Sequence, residues 1–291
     1  MKRTISFALA LLMIITMFSA CSKPTAPDPS KNNAEPKKEK TSIEKVTVKI
    51  PEKTEAYAML DDAQSMADKC LKALQSGGMV TLGAFGGYIT AGFNAPVLNQ
   101  EGMDFRVDGN AYTGNAEPGV VWVSSDDNGN GLPDDEWYEI FGSEQKEGRA
   151  VQNCTIQYQR SQYPDGDTYW ATSNGKSGRV WHNSFHEQPY YPQWYNYEII
   201  EFTGTLLPDN MSKENGIYVM SAFDYGYADN LPNSLENSSF DIDWAVNADG
   251  TPANLESIDF IRIQNGVIGC TDITGELSTE ITLITNLNPK E

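Results

Sequence analysis

A mostly β fold, an antiparallel sandwich or jelly roll with one packing helix near its start, is what this sequence predicts. Three observations carry that prediction. From Met79 onward, short apolar runs of strand length alternate with turns rich in Gly, Asn, Asp and Pro. A single segment, just before Met79, has apolar residues at helical spacing. No Gly-rich phosphate loop stands between a strand and a helix, and no internal repeat is present.

The chain begins with a segment that is not fold. Lys2 and Arg3 form a basic start, Ile5 to Phe18 is apolar, and Ser19-Ala20 places small residues before Cys21. This arrangement resembles the lipobox of bacterial lipoproteins. It implies a signal peptide over residues 1–20 and a lipidated Cys21, hence attachment to a membrane. The apolar stretch is marginal for a span, which needs about 20 residues. Residues 21–50, with Pro24, Pro27, Pro29 and Pro36 among polar groups, are expected to be a disordered tether, because too little apolar surface exists to offset ordering. Residues 51–291 are expected to form one ligand-binding β-sandwich domain.

The helix is expected where Leu60, Ala63, Met66, Ala67, Cys70, Leu71 and Leu74 share a stripe, ended by Gly77-Gly78. The strands expected after it are 79–82, 88–93, 104–107, 119–123, 136–140, 155–158, 198–204, 216–220, 257–263 and 280–283. Residues 1–50 hold nine basic and four acidic groups, so the remainder carries 12 against 36, a balance of −24. That surface argues against nucleic-acid binding, which wants a basic footprint. It suits cation binding outside the cell. Beyond Cys21, three cysteines remain, Cys70, Cys154 and Cys270, an odd number that allows at most one disulfide and reads best as small buried hydrophobes.

One stretch has metal-site chemistry. Asp126, Asn128 and Asn130 alternate ahead of Gly131, the spacing by which a tight loop turns oxygen side chains toward one hard cation. Leu132 offers a backbone carbonyl, and Asp134 or Asp135 a closing carboxylate. Trp137 stands where an EF-hand places its bidentate Glu, so the expectation is a Ca²⁺-binding hairpin loop of another kind. The competing reading is an Asn-Gly turn with solvated carboxylates.

Ligand contact is expected from the aromatic stretch between Tyr163 and Tyr197. Its candidates are Trp170, Trp181, His186, Tyr190, Tyr191 and Trp194, since Tyr and Trp offer flat apolar faces with a polar tip. Tyr227 and Asp229 join them from a second aromatic and acidic cluster, Phe223 to Asn230, followed by Phe240 to Trp244. His182 and His186 would hold zinc on a helix, but their Gly, Asn, Ser and Pro neighbours do not form one. No G-x-S-x-G elbow supports a hydrolytic triad. With 40 acidic residues some pair must lie at glycosidase distance, which makes that observation uninformative.

Several runs together resemble a family of bacterial cell-surface lipoproteins common in gut anaerobes. They are Glu117 to Val123, the loop Asp126 to Glu139, Gly142-Ser143-Glu144, Tyr190-Tyr191-Pro192 with Trp194, and Phe202 to Leu207. Gly226 to Asn233, Phe240 to Val246, Ile258 to Phe260 and Gly275 to Glu280 continue the match. The family often carries Gly-Trp-Leu-Gly-Glu where this chain has Cys270 to Glu276. The resemblance implies a β-sandwich. Relatives in Bacteroidota are linked to surface capture of cobalamin beside an outer-membrane transporter. The resulting expectation is a lipid-anchored outer-membrane binding protein, not an enzyme, with structural Ca²⁺ and a corrinoid ligand. A glycan-binding module or adhesin, and a calcium-dependent glycoside hydrolase, are the alternatives.

Overall fold

The computed structural model describes residues 39–47, 56–163, 165–182 and 190–289, with side chains in the first helix from Ala63 onward. The expected signal peptide, Cys21 and His186 lie outside the described residues. The chain is mostly β and its sheets are antiparallel, a sandwich with few helices.

The main sheet runs, from one edge to the other, through Ile43–Thr47, Tyr88–Leu98, Ser257–Asn265, Gly119–Ser124, Tyr138–Ile140 and Ala245–Val246. Tyr227–Ala228 pairs with Gly119–Ser124 off this path. Register puts alternate residues on one face: Ile261 lies between Ala91 and Val123, and Ile263 between Ile89 and Val121. All of these are buried, and they form the largest apolar core. The period of two visible in the sequence is the cause, since successive side chains of a strand point to opposite faces.

The helix Ala56–Gln75 packs on this core through Ala63, Ala67 and Leu74, which are almost fully buried. Met66, expected on the same stripe, stands at its edge and is 46 % exposed. The helix ends as predicted. Gly77 takes a left-handed φ of 72°, and Gly78 donates its N–H to the Ala73 carbonyl at 2.7 Å. A three-stranded sheet of Ser239–Phe240, Phe105–Asp108 and Leu283–Asn286 also lines the core, where the Phe105 and Phe240 rings stack with centroids 5.2 Å apart.

The opposite face of the main sheet presents Tyr88, Thr90, Trp122, Glu139, Arg262 and Gln264. Strand Ile199–Leu206 of a four-stranded sheet, with Val151–Gln159, Thr168–Thr172 and Ser177–Val180, packs there. Gln264 Nε2 donates to the Gly86 and Thr203 carbonyls, and Thr205 Oγ1 donates to Glu139 Oε2 at 2.7 Å. Gly204 lets Gln264 approach closely, because a Cβ there would stand 2.0 Å from Gln264 Oε1 and force that side chain to shift.

Two expectations need correction. The tether does not extend to residue 50: Lys40–Glu291 is one compact unit, and Ile43–Thr47 is an edge strand. A register shift between Ile43 and Lys45 turns Ile43 and Val46 to the same buried face, so their spacing of three concealed a strand. A second, four-residue helix, Ser143–Lys146, accompanies the expected one. Its Gly142 abuts the Tyr227 ring, where a Cβ would lie 2.5 Å from Cζ.

The ends of the compact unit meet. Ser42 N–H donates to the Ile284 carbonyl at 2.7 Å, and Leu98 N–H to the Asn288 carbonyl at 3.1 Å. Among the described residues, no helix is long and apolar enough to cross a membrane.

Candidate functional site

The acidic loop leaves the main sheet after Ser124 and returns at Tyr138. Asp126 Oδ1 accepts the Asn130 N–H at 3.0 Å and Oδ2 the Gly131 N–H at 2.8 Å. Asn128 Oδ1 accepts the same Asn130 N–H, and Asn130 Oδ1 that of Leu132 at 2.7 Å. The side-chain oxygens at 126, 128 and 130 therefore fold over one turn, made possible by left-handed Gly129 and Gly131. The Asn128 and Asn130 amides donate to the carboxylates of Asp134 and Asp135 at 3.1–3.2 Å. A bound cation would require these amides to turn their oxygens inward, a rotation that swaps donor for acceptor. Lys45 Nζ donates to the Gly131 carbonyl, which fixes the loop to the edge strand.

Asp126, Asn128, Asn130, Asp134 and Asp135 are thus brought together, while the Leu132 side chain is 51 % exposed. The three Asp carboxylates do not form one cluster within 4.8 Å. Among the described residues that grouping belongs to Glu117, Asp229 and Glu280.

The aromatic candidates separate. Tyr190, Tyr191 and Trp194 border neighbouring shallow hollows of about 110, 180 and 290 Å³ that share Pro192, Ile200 and Phe202 in part. Tyr191 is core-like: it is 4 % exposed, donates its hydroxyl to the Tyr197 carbonyl at 2.8 Å, and has its pKa pushed by burial up to about 12. Trp170 packs over Gly178, where a Cβ would come within 2.5 Å of the indole. Trp181 is exposed, but the Arg179 guanidinium lies 3.4 Å from its ring centroid.

Tyr227 and Asp229, expected at a ligand, are both buried and tied by hydrogen bonds. Tyr227 is 2 % exposed; its hydroxyl accepts the Glu144 N–H at 2.9 Å and donates to Gln145 Oε1 at 2.6 Å. Asp229 is buried in a left-handed turn (φ 51°) and accepts three backbone N–H groups. Burial, the chief cause, raises its pKa to about 6.

A larger cleft, about 780 Å³, lies elsewhere. Tyr225 and Trp244 form its aromatic wall, edge to face with centroids 5.5 Å apart, and Asp224, Glu236, Asp243 and Lys146 supply its polar groups. Backbone bonds hold the wall: Ser143 N–H donates to the Tyr225 carbonyl at 3.1 Å, and Phe141 N–H to that of Trp244 at 2.8 Å. Gly226 permits the approach, since its φ is 90° and a Cβ would meet Gly142 Cα at 2.5 Å. Asp241 caps the single turn Ile242–Trp244 by accepting the Asp243 N–H at 2.8 Å, and Asp243 Oδ1 accepts from Asn99 Nδ2 at 2.8 Å. The signal for this cleft was present in the sequence as the aromatic and acidic runs at 223–230 and 240–244. The ligand candidates Tyr190, Tyr191 and Trp194 border the smaller hollows.

With this geometry in hand, comparison with known proteins adds no identity: no protein-family model matches the chain, and no curated protein matches it.

Proposed function

We propose that this protein is a lipid-anchored, extracytoplasmic ligand-capture protein that binds its ligand in the Tyr225–Trp244 cleft. The observation that supports this reading is the cleft itself. Its size falls within the range of small-molecule sites, and it combines an aromatic wall with a few placed carboxylates. A corrinoid is the first ligand to test, consistent with the resemblance to surface lipoproteins linked to cobalamin. The carboxamides rimming a corrin ring donate hydrogen bonds of the kind Asp224, Glu236 and Asp243 accept. Delivery to an outer-membrane transporter is the implied use. A glycan ligand is the second reading, favoured by the same pairing of aromatic faces and carboxylates.

Titration of cyanocobalamin into the detergent-solubilised full chain is expected to give saturable heat at micromolar affinity or tighter, about −8 kcal/mol. Trp244→Ala is expected to weaken it at least about tenfold, or about 1.4 kcal/mol, and Trp181→Ala to leave it unchanged. Absence of heat at high concentration would remove the corrinoid and move the test to oligosaccharides. Binding unaffected by Trp244→Ala but lost in Trp194→Ala would move the site to the hollows beside Tyr190.

We also propose that the Asp126–Asp135 loop holds structural Ca²⁺. Asp126→Ala is then expected to lower the melting temperature in calcium by a few degrees, about 1 kcal/mol, and to change little in chelator. Equal losses in both conditions would remove the calcium assignment.

A further inference from the structure

Three strands that are distant in sequence bring three carboxylates to one buried point. Glu117 lies two residues before Gly119–Ser124, Asp229 directly follows Tyr227–Ala228, and Glu280 begins Glu280–Ile281. One carboxylate oxygen from each residue lies within 4.8 Å of those offered by the other two. Backbone bonds fix each member. Glu117 N–H donates to the Asp229 carbonyl at 3.0 Å, Thr279 Oγ1 donates to the Glu117 carbonyl at 2.8 Å, and Glu280 N–H donates to Asp229 Oδ2 at 2.8 Å.

The cluster contains more acceptors than donors. Asp229 Oδ1 takes the N–H groups of Asn110 and Ala111, and Glu117 Oε1 takes that of Ser278 at 3.0 Å. Glu280 is only 8 % exposed, yet its Oε2 is buried with no hydrogen-bond donor. Among the described residues, no Lys, Arg or His pairs with any of the three. A buried carboxylate oxygen left unpaired keeps its full desolvation penalty, larger still when the group is charged. Such a constellation calls for a positive charge or for shared protons.

We propose that Glu117, Asp229 and Glu280 form a buried binding site for a hard divalent cation, Ca²⁺ in preference to Mg²⁺. The donors are all oxygen, which selects a hard ion. Three carboxylates converging on one place suit Ca²⁺, which takes several carboxylate oxygens, better than Mg²⁺, which keeps several waters and binds through one or two carboxylates. Glu117 Oε1 and Asp229 Oδ2, each accepting one N–H, keep a second lone pair for the ion, whereas Asp229 Oδ1 uses both on Asn110 and Ala111. Bound there, the cation ties the main sheet, through Glu117 and Asp229, to the chain's last strands. The site is separate from the Asp126 loop and does not depend on it.

The test is metal stoichiometry. The detergent-solubilised full chain is stripped with chelator, dialysed against Ca²⁺, Mg²⁺ or Mn²⁺ singly, and assayed for bound metal. Wild type is expected to retain two Ca²⁺ per chain, Asp126→Ala one, and Glu280→Gln one. If Asp126→Ala takes up no ion, the triad site is overturned; that chain keeps the test decisive should Glu280→Gln fail to fold. Glu280→Gln retaining as many ions as wild type would also overturn it, with shared protons the explanation of the cluster. Should the loop reading alone fail, wild type and Asp126→Ala would each hold one ion and Glu280→Gln none.

Discussion

Ile261→Ala is expected to destabilise the protein by about 4 kcal/mol, measured by denaturant unfolding. The side chain is fully buried at the centre of the main sheet, with Ala91 on one flanking strand and Val123 on the other, themselves fully buried. Removing three carbons forfeits transfer free energy and leaves a cavity that paired strands cannot close, which places the loss in the upper half of the range of about 2–5 kcal/mol. Ile217→Ala is the matched control. At 69 % exposure it is expected to cost no more than about 0.5 kcal/mol. A loss below about 1 kcal/mol at Ile261 would mean that the central strand is not packed as described.

Glu139→Gln is expected to alter how stability depends on pH. Glu139 is buried beneath the four-stranded sheet, where it accepts from Thr205 Oγ1 and Gln145 Nε2. Burial is the main cause of a pKa raised from 4.5 to about 7, partly offset by those two hydrogen bonds. The folded state therefore binds this proton more tightly than the unfolded chain. The stabilisation is complete below pH 4.5 and is lost as pH rises through about 7. A rise of that size corresponds to about 3 kcal/mol. Between pH 5 and 8 the wild type is expected to lose stability more steeply than Glu139→Gln, by up to about that amount. Taking the difference between the two proteins cancels the other buried carboxyls. Parallel curves would show that Glu139 titrates as an ordinary carboxyl.

Much of the fold was legible in the sequence because alternation and turn residues are local. Each of the ten predicted segments contains or overlaps a strand, and the Gly77-Gly78 stop ends the helix. Ile43–Thr47 was hidden by its bulge, and pairs as short as Tyr227–Ala228 or Gly275–Glu276 are too brief to carry a period. The loop at Asp126 was legible for the same local reason: its ligand candidates fall within ten residues. The cleft was legible only in part: its aromatic and acidic runs are visible, but their meeting is fixed by hydrogen bonds that Ser143 and Phe141 make from another part of the chain. The carboxylate triad was still less so, its members lying 112 and 51 positions apart.

The position of Ser257–Asn265 bears on how the molecule is made. It fills the middle of the main sheet, bonded on both sides, yet it is the last of that sheet's strands to leave the ribosome or an export channel. Tyr88–Leu98 and Gly119–Ser124, which emerge much earlier, do not pair with each other and must wait with open edges for their shared partner. Thr41 then closes on Ile284, 243 positions later. The main sheet is therefore completed late, after the strands on either side of Ser257–Asn265 have been made. A nascent chain that stalls before residue 257 would present two apolar strand edges, the kind of surface that holding chaperones engage.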